Sequence, residues 1–342
     1  MKVVKFGGSS LATGEQFEKV INIIKDDSER KVIVTSAPGK RYHGDTKVTD
    51  LLIEYANEVI ENEDHTNIIK EIISRYHEIS DYFKLDDSVI KLLKDKLVNL
   101  AKTDFSDNEH LMAAFKAHGE FLNAILLNEV LNSQGIKSIF VDPKKAGIIV
   151  HGKPNDADIS PDTYRNLENY KLPEDSRLVF PGFFGYSQDG SIFRCSSGSD
   201  ITGAMLSRGL HADLYENFTD VDAIYVANNH VVKHPQAIKK MSYREMRELS
   251  YAGFSVFQDE AIIPAVKGQV PVNVKNTNNP SAEGTLIVPE QFLFNPSNEI
   301  TGIACSKRFS ALYIHRYLLN KEVGFTLKLL QLFYKYNISY EH

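Results

Sequence analysis

The opening forty residues restrict the fold more than any other stretch. Lys2 to Phe6 is a short β-rich run, Gly7-Gly8-Ser9-Ser10 is a turn, and Lys31 to Thr35 (K-V-I-V-T) is a second apolar strand. Between them Phe17, Val20, Ile21 and Ile24 recur at i, i+3, i+4 and i+7, the buried stripe of one helix. Thr13 and Gln16 form a T-x-x-Q capping box ahead of that stripe. Two strands joined by a crossover helix run parallel, and a parallel sheet needs cover on both faces.

The rest of the chain repeats this alternation. Residues from about Lys47 to Asn132 are rich in Leu, Ile, Glu and Lys with few breakers, and Leu111, Phe115, Leu122, Ile125 and Leu126 keep a helical period. Strands are expected at Ser138 to Val141, Arg177 to Phe180, Asp213 to Tyr215, Ala223 to Val226 and Val270 to Val274. Helices are expected at Ile201 to Arg208 and Tyr243 to Tyr251. The fold class is therefore α/β, a three-layer αβα sandwich around a mostly parallel open sheet. Turn chemistry from Phe292 to Asn298 reads as a connector. Beyond it, Phe309 to Tyr317 reads as a strand, Gly324 to Tyr336 as an amphipathic helix, and Ile338 as the start of another strand.

Composition excludes several function classes. Of 342 residues, 42% are hydrophobic and 25% charged, too apolar for a disordered chain. The net charge of −6 leaves no basic footprint for nucleic acid. No apolar run approaches the roughly 18 residues of a membrane span, and Met-Lys-Val-Val-Lys-Phe-Gly-Gly does not read as a signal peptide. Two cysteines, Cys195 and Cys305, make no CxxC pair and suggest neither a disulfide scaffold nor a zinc site. A soluble cytoplasmic protein with no nucleic-acid or membrane partner is expected.

The strongest chemical signal is K-F-G-G-S-S at Lys5 to Ser10. Two glycines directly after a strand let the backbone approach a ligand closely. A helix start beyond them offers free N–H groups and a positive dipole end, which suit phosphate. Lys5 adds a positive charge aimed at the same place. An ordinary strand–turn–helix junction is the plainer explanation of the glycines alone. There is no GxxxxGK[ST] and no GxGxxG, so neither a P-loop nor a dinucleotide fold is indicated.

K-F-G-G-S-S at the N-terminus resembles the opening of aspartate kinases, members of the amino acid kinase family. Six further segments match in order: T-S-A-P-G-K (Thr35 to Lys40) with Thr49-Asp50-Leu51-Leu52; H-G-E (His118 to Glu120), opening a helix turn; P-G-F-F-G (Pro181 to Gly185); G-S-D-I-T-G-A (Gly198 to Ala204); T-D-V (Thr219 to Val221) with Tyr225; and N-V-K-N-T (Asn273 to Thr277). The resemblance runs from Met1 to about Val288.

The resemblance implies ATP-dependent phosphorylation of the β-carboxylate of L-aspartate, the first step toward lysine, threonine and methionine. A carboxylate is already anionic at neutral pH, so no general base is needed. The difficulty is bringing an anion to a triphosphate. By resemblance, Lys5 and Asp200 are the catalytic pair, with Lys5 on the transferring phosphoryl group. Lys5, Gly7, Gly8, Ser9, Thr219, Asp220, Tyr225, His230, Lys275 and Asn276 would bind ATP. Ser36, Thr49, Glu120, Arg194 and Ser199 would bind aspartate, with Glu120 facing its ammonium. Mg2+ would be bound through the ATP phosphates, with no metal site of the protein's own. A homodimer or homotetramer is implied, and in some relatives ACT domains bind lysine or threonine. Plainer roles exist for each residue alone: Ser36 as a loop hydroxyl, Glu120 as a surface carboxylate, His118 as a packed ring, Asp200 or Ser199 as a helix N-cap.

Three departures from the family pattern predict a weakened site. Ser196 stands where R-G-G-S-D has its arginine, and a serine cannot clamp a carboxylate. Arg194, two residues earlier, would share its face in an extended strand and could substitute. Asn228-Asn229-His230 replaces D-P-R, and Gly253 to Asp259 carries Gln258 where relatives have histidine. Two alternatives therefore stand beside the kinase: an impaired paralogue that binds nucleotide or regulates, and an amino acid kinase with another acceptor. The domains expected are a kinase domain over 1–295, with a helical insertion at about 60–110, and an incomplete ACT-like segment over 299–342. Its strand–helix–strand part, Phe309 to His342, is too small to bury a core and reads as truncated.

Overall fold

The computed structural model describes residues 1–228, 231–251, 259–293, 300–304, 310–315, 317–321, 323–338 and 340. It divides into two compact units, Met1–Ala304 and Cys305–His342. The first unit begins with β1 (Lys2–Phe6), α1 (Gly14–Asp26) and β2 (Arg30–Thr35). Four helices follow: α2 (Val48–Ile60), α3 (Thr66–Tyr82), α4 (Asp87–Leu100) and α5 (Asn108–Ser133). Then come β3 (Ser138–Phe140), β4 (Val150–Lys153), β5 (Asp156–Ile159), α6 (Pro161–Glu168), β6 (Arg177–Pro181), β7 (Phe184–Tyr186), β8 (Ile192–Arg194) and α7 (Gly198–Gly209). The unit continues with β9 (Leu214–Thr219), β10 (Lys240–Ser242), α8 (Tyr243–Tyr251), α9 (Asp259–Gly268), β11 (Val272–Asn276) and β12 (Thr285–Val288).

Eight strands make one sheet in the order β10-β12-β11-β9-β1-β2-β6-β3, parallel throughout except between β11 and β12. Alternation along each strand builds a core on either side. Val4, Phe6, Ile33, Val179 and Phe218 pack with α1 to α5, whereas Val3, Val32, Val34, Phe180, Tyr215 and Val274 pack with α6 to α9. These are the three layers expected from the parallel pattern. From β1 the chain leaves to one side through β2 and returns to the other at β9. The sheet therefore has a topological switch at β1, and ligand crevices form outside the carboxyl ends of strands at such points.

Three local expectations need correction. Ala223 to Val226 forms no strand; Tyr225 makes one isolated bridge to Ala237, because the sheet edge there is filled by β12 and β10. The Gly-Gly turn does not open directly into α1 but into a 3-10 turn at Gly8–Leu11, and α1 starts later, capped by Thr13 Oγ1 accepting from Gln16 N. In the second unit, α10 (Phe325–Lys335) lies within the expected helix, but 310–315, 317, 338 and 340 hold no strand. Extended residues register as strands only when a neighbour pairs with them, and none does among the described residues. The connector at Phe292 to Asn298 lies largely outside the described residues.

Candidate active site

Lys5 lies on the central strand of the sheet, one residue before its end, and only 7% of its surface is exposed. An ammonium so placed needs a counter-charge. Asp200 supplies it, with Oδ1 at 2.5 Å from Lys5 Nζ. The same oxygen accepts from Asn217 Nδ2 on the adjoining strand β9 (3.2 Å). Asp200 sits in the first turn of α7, but the N-cap position belongs to Ser197, which makes no side-chain capping bond. Asp200 is thus held by a lysine and an amide. Two glycines let α7 come this close: a Cβ on Gly203 would lie 2.5 Å from the Tyr215 ring, and one on Gly182 would lie 2.4 Å from Ser199 Cβ.

The loops after β1 and β2 interlock above this pair. Gly39 N donates to Gly8 O (2.8 Å), and a Cβ on Gly39 would meet the Gly8 carbonyl at 2.7 to 2.8 Å. Gly7 N is tied to Phe218 O, and Ser10 N closes the turn onto Gly7 O, each at 3.0 Å. The N–H groups of Gly8 and Ser9 precede that first intrahelical bond and remain available as donors. Ser36 Oγ lies 2.5 Å from Ser199 Oγ, both buried, and Asn123 Nδ2 of α5 donates to Ser36 O (2.7 Å). Thr49 is half-buried in the first turn of α2.

Glu120 is not a surface carboxylate. It is 6% exposed on α5, and burial pushes its pKa up to about 7, against the pull of the Ala37 backbone, Arg194 and Lys5. His118-Gly119-Glu120 does not open a helix turn: it lies inside the 26-residue α5, where the missing side chain at 119 lets the helix pass close to Ala37. A Cβ there would stand 2.7 Å from Ala37 Cβ and 3.2 Å from Leu52 Cδ1. Gly119→Ala should therefore push the Ser36–Gly39 loop off α5, costing about 1–3 kcal/mol by overpacking. Thermal denaturation measures the loss, and activity should fall further than stability alone explains. His118 is packed, its Nδ1 2.8 Å from Ala114 O of its own helix.

Arg194 ends β8, where the strand stops, so Ser196 does not share its face as an extended run would require. Ser196 is exposed and its hydroxyl lies 3.5 Å from Glu260 Oε2. The Arg194 guanidinium stacks over the Phe183 ring at 4.3 Å, and its foremost opposite charge is Glu120.

A second group ties the ends of β9 and β11 to the first turn. Ser10 Oγ lies 2.7 Å from Thr277 Oγ1, Thr277 N donates to Thr219 O (2.9 Å), and Asn276 Nδ2 donates to Asp222 Oδ1 (2.7 Å). Thr219 hydrogen-bonds the exposed Asp220, and Tyr225 is half-buried. The Lys275 side chain is not brought to Lys5. Val274 packs with the α6 to α9 core, so its neighbour Lys275 turns to the other face, among Glu216, Arg30 and Lys2. His230, with Asn229 and the 252–258 segment including Gln258, lies outside the described residues.

Asn217 and Asn123 escaped the sequence analysis. Their signal was faint: an asparagine at an inward position of L-Y-E-N-F-T, and another inside an apolar helical stripe. In the structure Asn217 Oδ1, Asn123 Oδ1, Glu120 Oε2 and Arg194 Nε are all buried without a hydrogen-bond partner among the described residues. Each such group calls for an explanation, and these four are linked to the Lys5–Asp200 pair or its neighbours, Asn217 through Asp200, Asn123 through Ser36, and Glu120 with Arg194, as the lining of a polar ligand site would be. Among the described residues no three His, Cys, Asp or Glu side chains converge as a metal site, and no helix is long and apolar enough to cross a membrane.

Comparison with known proteins agrees with this architecture. The amino acid kinase family model matches residues 1–276. Aspartokinase 3 of Bacillus subtilis is 48% identical over the whole chain, which spans 75% of that protein's length. The crystal structure of Clostridium acetobutylicum aspartate kinase superposes with a TM-score of 0.82 at 36% identity, covering all of this chain and 75% of that one. Escherichia coli aspartokinase III, crystallised with aspartate and ADP, shares the fold at a TM-score of 0.73 and 24% identity, over 84% of this chain and 64% of that one. The chain belongs to the amino acid kinase family, in its aspartate kinase branch.

Proposed function

We propose that this protein is an aspartate kinase, transferring the γ-phosphoryl group of ATP to the β-carboxylate of L-aspartate to give 4-phospho-L-aspartate and ADP. The observation that carries it is the buried Lys5–Asp200 pair beside the Gly7-Gly8 turn, with unpartnered polar atoms of Asn217, Asn123, Glu120 and Arg194 on the elements around it. The carboxylate oxygen attacks phosphorus and the bond to the β,γ-bridging oxygen breaks, with no proton to move. The protein supplies position and positive charge. Lys5, oriented by Asp200, neutralises charge on the transferring oxygens. The Gly8 and Ser9 N–H groups hold phosphate, and the Thr219–Asp220 and Asn276 loops border the nucleoside side. Glu120 takes the substrate ammonium, Arg194 its α-carboxylate, and Ser36, Thr49 and Ser199 its remaining oxygens. Mg2+ would be held through the ATP phosphates, where it would neutralise charge on the transferring group.

The 48% relative, named an aspartokinase, favours this acceptor over another acid, and the intact Lys5–Asp200 pair speaks against an impaired paralogue. Trapping tests the reaction directly. ATP, Mg2+, L-aspartate and hydroxylamine should yield aspartyl hydroxamate, because an acyl phosphate acylates hydroxylamine. ADP without hydroxamate, or hydroxamate only from another acid, would overturn the reading.

Glu120 makes the reaction pH-dependent. Its carboxyl must be ionised to take an ammonium, so kcat/KM for aspartate should rise with pH through about 7, and Glu120→Gln should flatten that limb. Stability should show the opposite sign. The folded pKa is raised, so the protonated form's contribution is complete below the ordinary carboxylate range and is lost as pH rises through about 7. Glu120→Gln should therefore melt above the parent at pH 8 by a few degrees and match it near pH 4. A margin that shrinks toward pH 8 would contradict this.

A further inference from the structure

Two stripes of α5 face different spaces. Glu120 and Asn123 look toward the reaction crevice, whereas Ala114, His118 and Phe121, at i, i+4 and i+7, line a separate cavity of about 350 Å3. Phe184, Tyr186 and Ile192 of the β7–β8 hairpin form part of its wall. That size is at the lower end for small-molecule pockets, and the walls are largely apolar with a few placed polar groups.

Those polar groups define the ligand. His118 Nδ1 is engaged by the Ala114 carbonyl, so the other ring nitrogen, Nε2, carries the lone pair and has no partner among the described residues. Burial keeps the ring neutral, with the pKa lowered to about 4. Lys96 is half-buried, its Nζ 5.1 Å over the Phe121 ring, with no carboxylate partner among the described residues. No Asp or Glu lines the cavity. The site thus offers one cation, a neutral imidazole acceptor, the uncharged polar side chains of Asn99 and Thr103 at its wall, and aromatic surfaces, with no carboxylate to neutralise an ammonium.

We propose that this cavity binds a small aromatic hydroxy-carboxylate, its carboxylate on Lys96, its hydroxyl donating to His118 Nε2 and its ring against Phe121 and Phe184. Amino acids are excluded, because their ammonium would sit beside Lys96 without a counter-charge. The site is coupled to the crevice. Phe184 pairs directly with Arg194 across the hairpin, and α5 carries Glu120 on its other stripe. An occupant that braces both lowers the KM for aspartate; this coupling rests on the aspartate kinase reading, the binding itself does not.

Isothermal titration of the full chain with 4-hydroxyphenylacetate should show one saturable site, with Kd on the order of 0.1–1 mM for so small a ligand. Phenylacetate should bind several-fold more weakly, and tyramine and L-tyrosine not measurably. Lys96→Gln should weaken binding at least tenfold while turning over as the parent does without the probe. Ala114→Leu, which fills the cavity, should abolish binding. No saturable binding, equal binding of tyramine, or an unchanged Kd in Lys96→Gln would overturn the site. Binding that leaves the aspartate KM within twofold would overturn the coupling alone, and binding with no aspartate-dependent turnover would overturn the kinase reading.

Discussion

Lys5→Met is expected to lower kcat by about a thousandfold while moving the KM for ATP far less. The side chain is buried at the end of the central strand, 2.5 Å from Asp200, beside the Gly7-Gly8 turn. A preorganised donor of this kind contributes about 10²–10³ in rate, and a cation on a transferring phosphoryl group contributes 10³–10⁵. Methionine keeps the stem packed but leaves Asp200, among the described residues, with Asn217 as its one side-chain partner, so a lower melting temperature accompanies the loss. The double variant Lys5→Met/Asp200→Asn removes the unpaired charge. It should recover stability without recovering turnover. Recovery of kcat in the double variant would show that Lys5 matters for folding and not for phosphoryl transfer.

The second large effect is expected at Arg194. Arg194→Ala should raise the KM for aspartate roughly ten- to a hundredfold with little change in kcat, the loss of one charge-assisted contact of about 1.5–3 kcal/mol. Arg194 also pulls the Glu120 pKa down, so its removal should shift the kcat/KM profile to higher pH. Arg194→Lys keeps the charge but loses the planar fork and the stack on Phe183, and should recover part of the affinity. An unchanged KM in Arg194→Ala would place the carboxylate clamp elsewhere.

How far the sequence reaches is visible in particular residues. β1, β2 and β6 are legible as largely apolar, mostly buried runs, and α1 because its cap and stripe agree; β9 (L-Y-E-N-F-T) is legible only at its first residues, and β11 (V-N-V-K-N) through its alternating valines. The hairpins β4–β5 and β7–β8 were not. They are three or four residues long, mixed in polarity and defined only by pairing. Lys5 and Asp200 could be named from motifs, but their 2.5 Å contact depends on glycines at 182 and 203 that let α7 sit against the sheet. The i, i+2 argument for Arg194 needs a strand through Ser196, but β8 stops at Arg194, whose foremost opposite charge is Glu120. Lys275 shows the reverse: its motif is right next to Asn276, but strand alternation turns its side chain to the other face. Asn123 and Asn217 carry no motif, and only three-dimensional neighbours expose their unpaired oxygens.

The most direct measurement is ADP formation by the parent chain and by Lys5→Met, each with L-aspartate, with L-glutamate and with no acceptor. ADP release by the parent should require L-aspartate and fall about a thousandfold in the variant. Release that is independent of aspartate, or undiminished by Lys5→Met, would contradict phosphoryl transfer at the carboxyl ends of β1, β2 and β9.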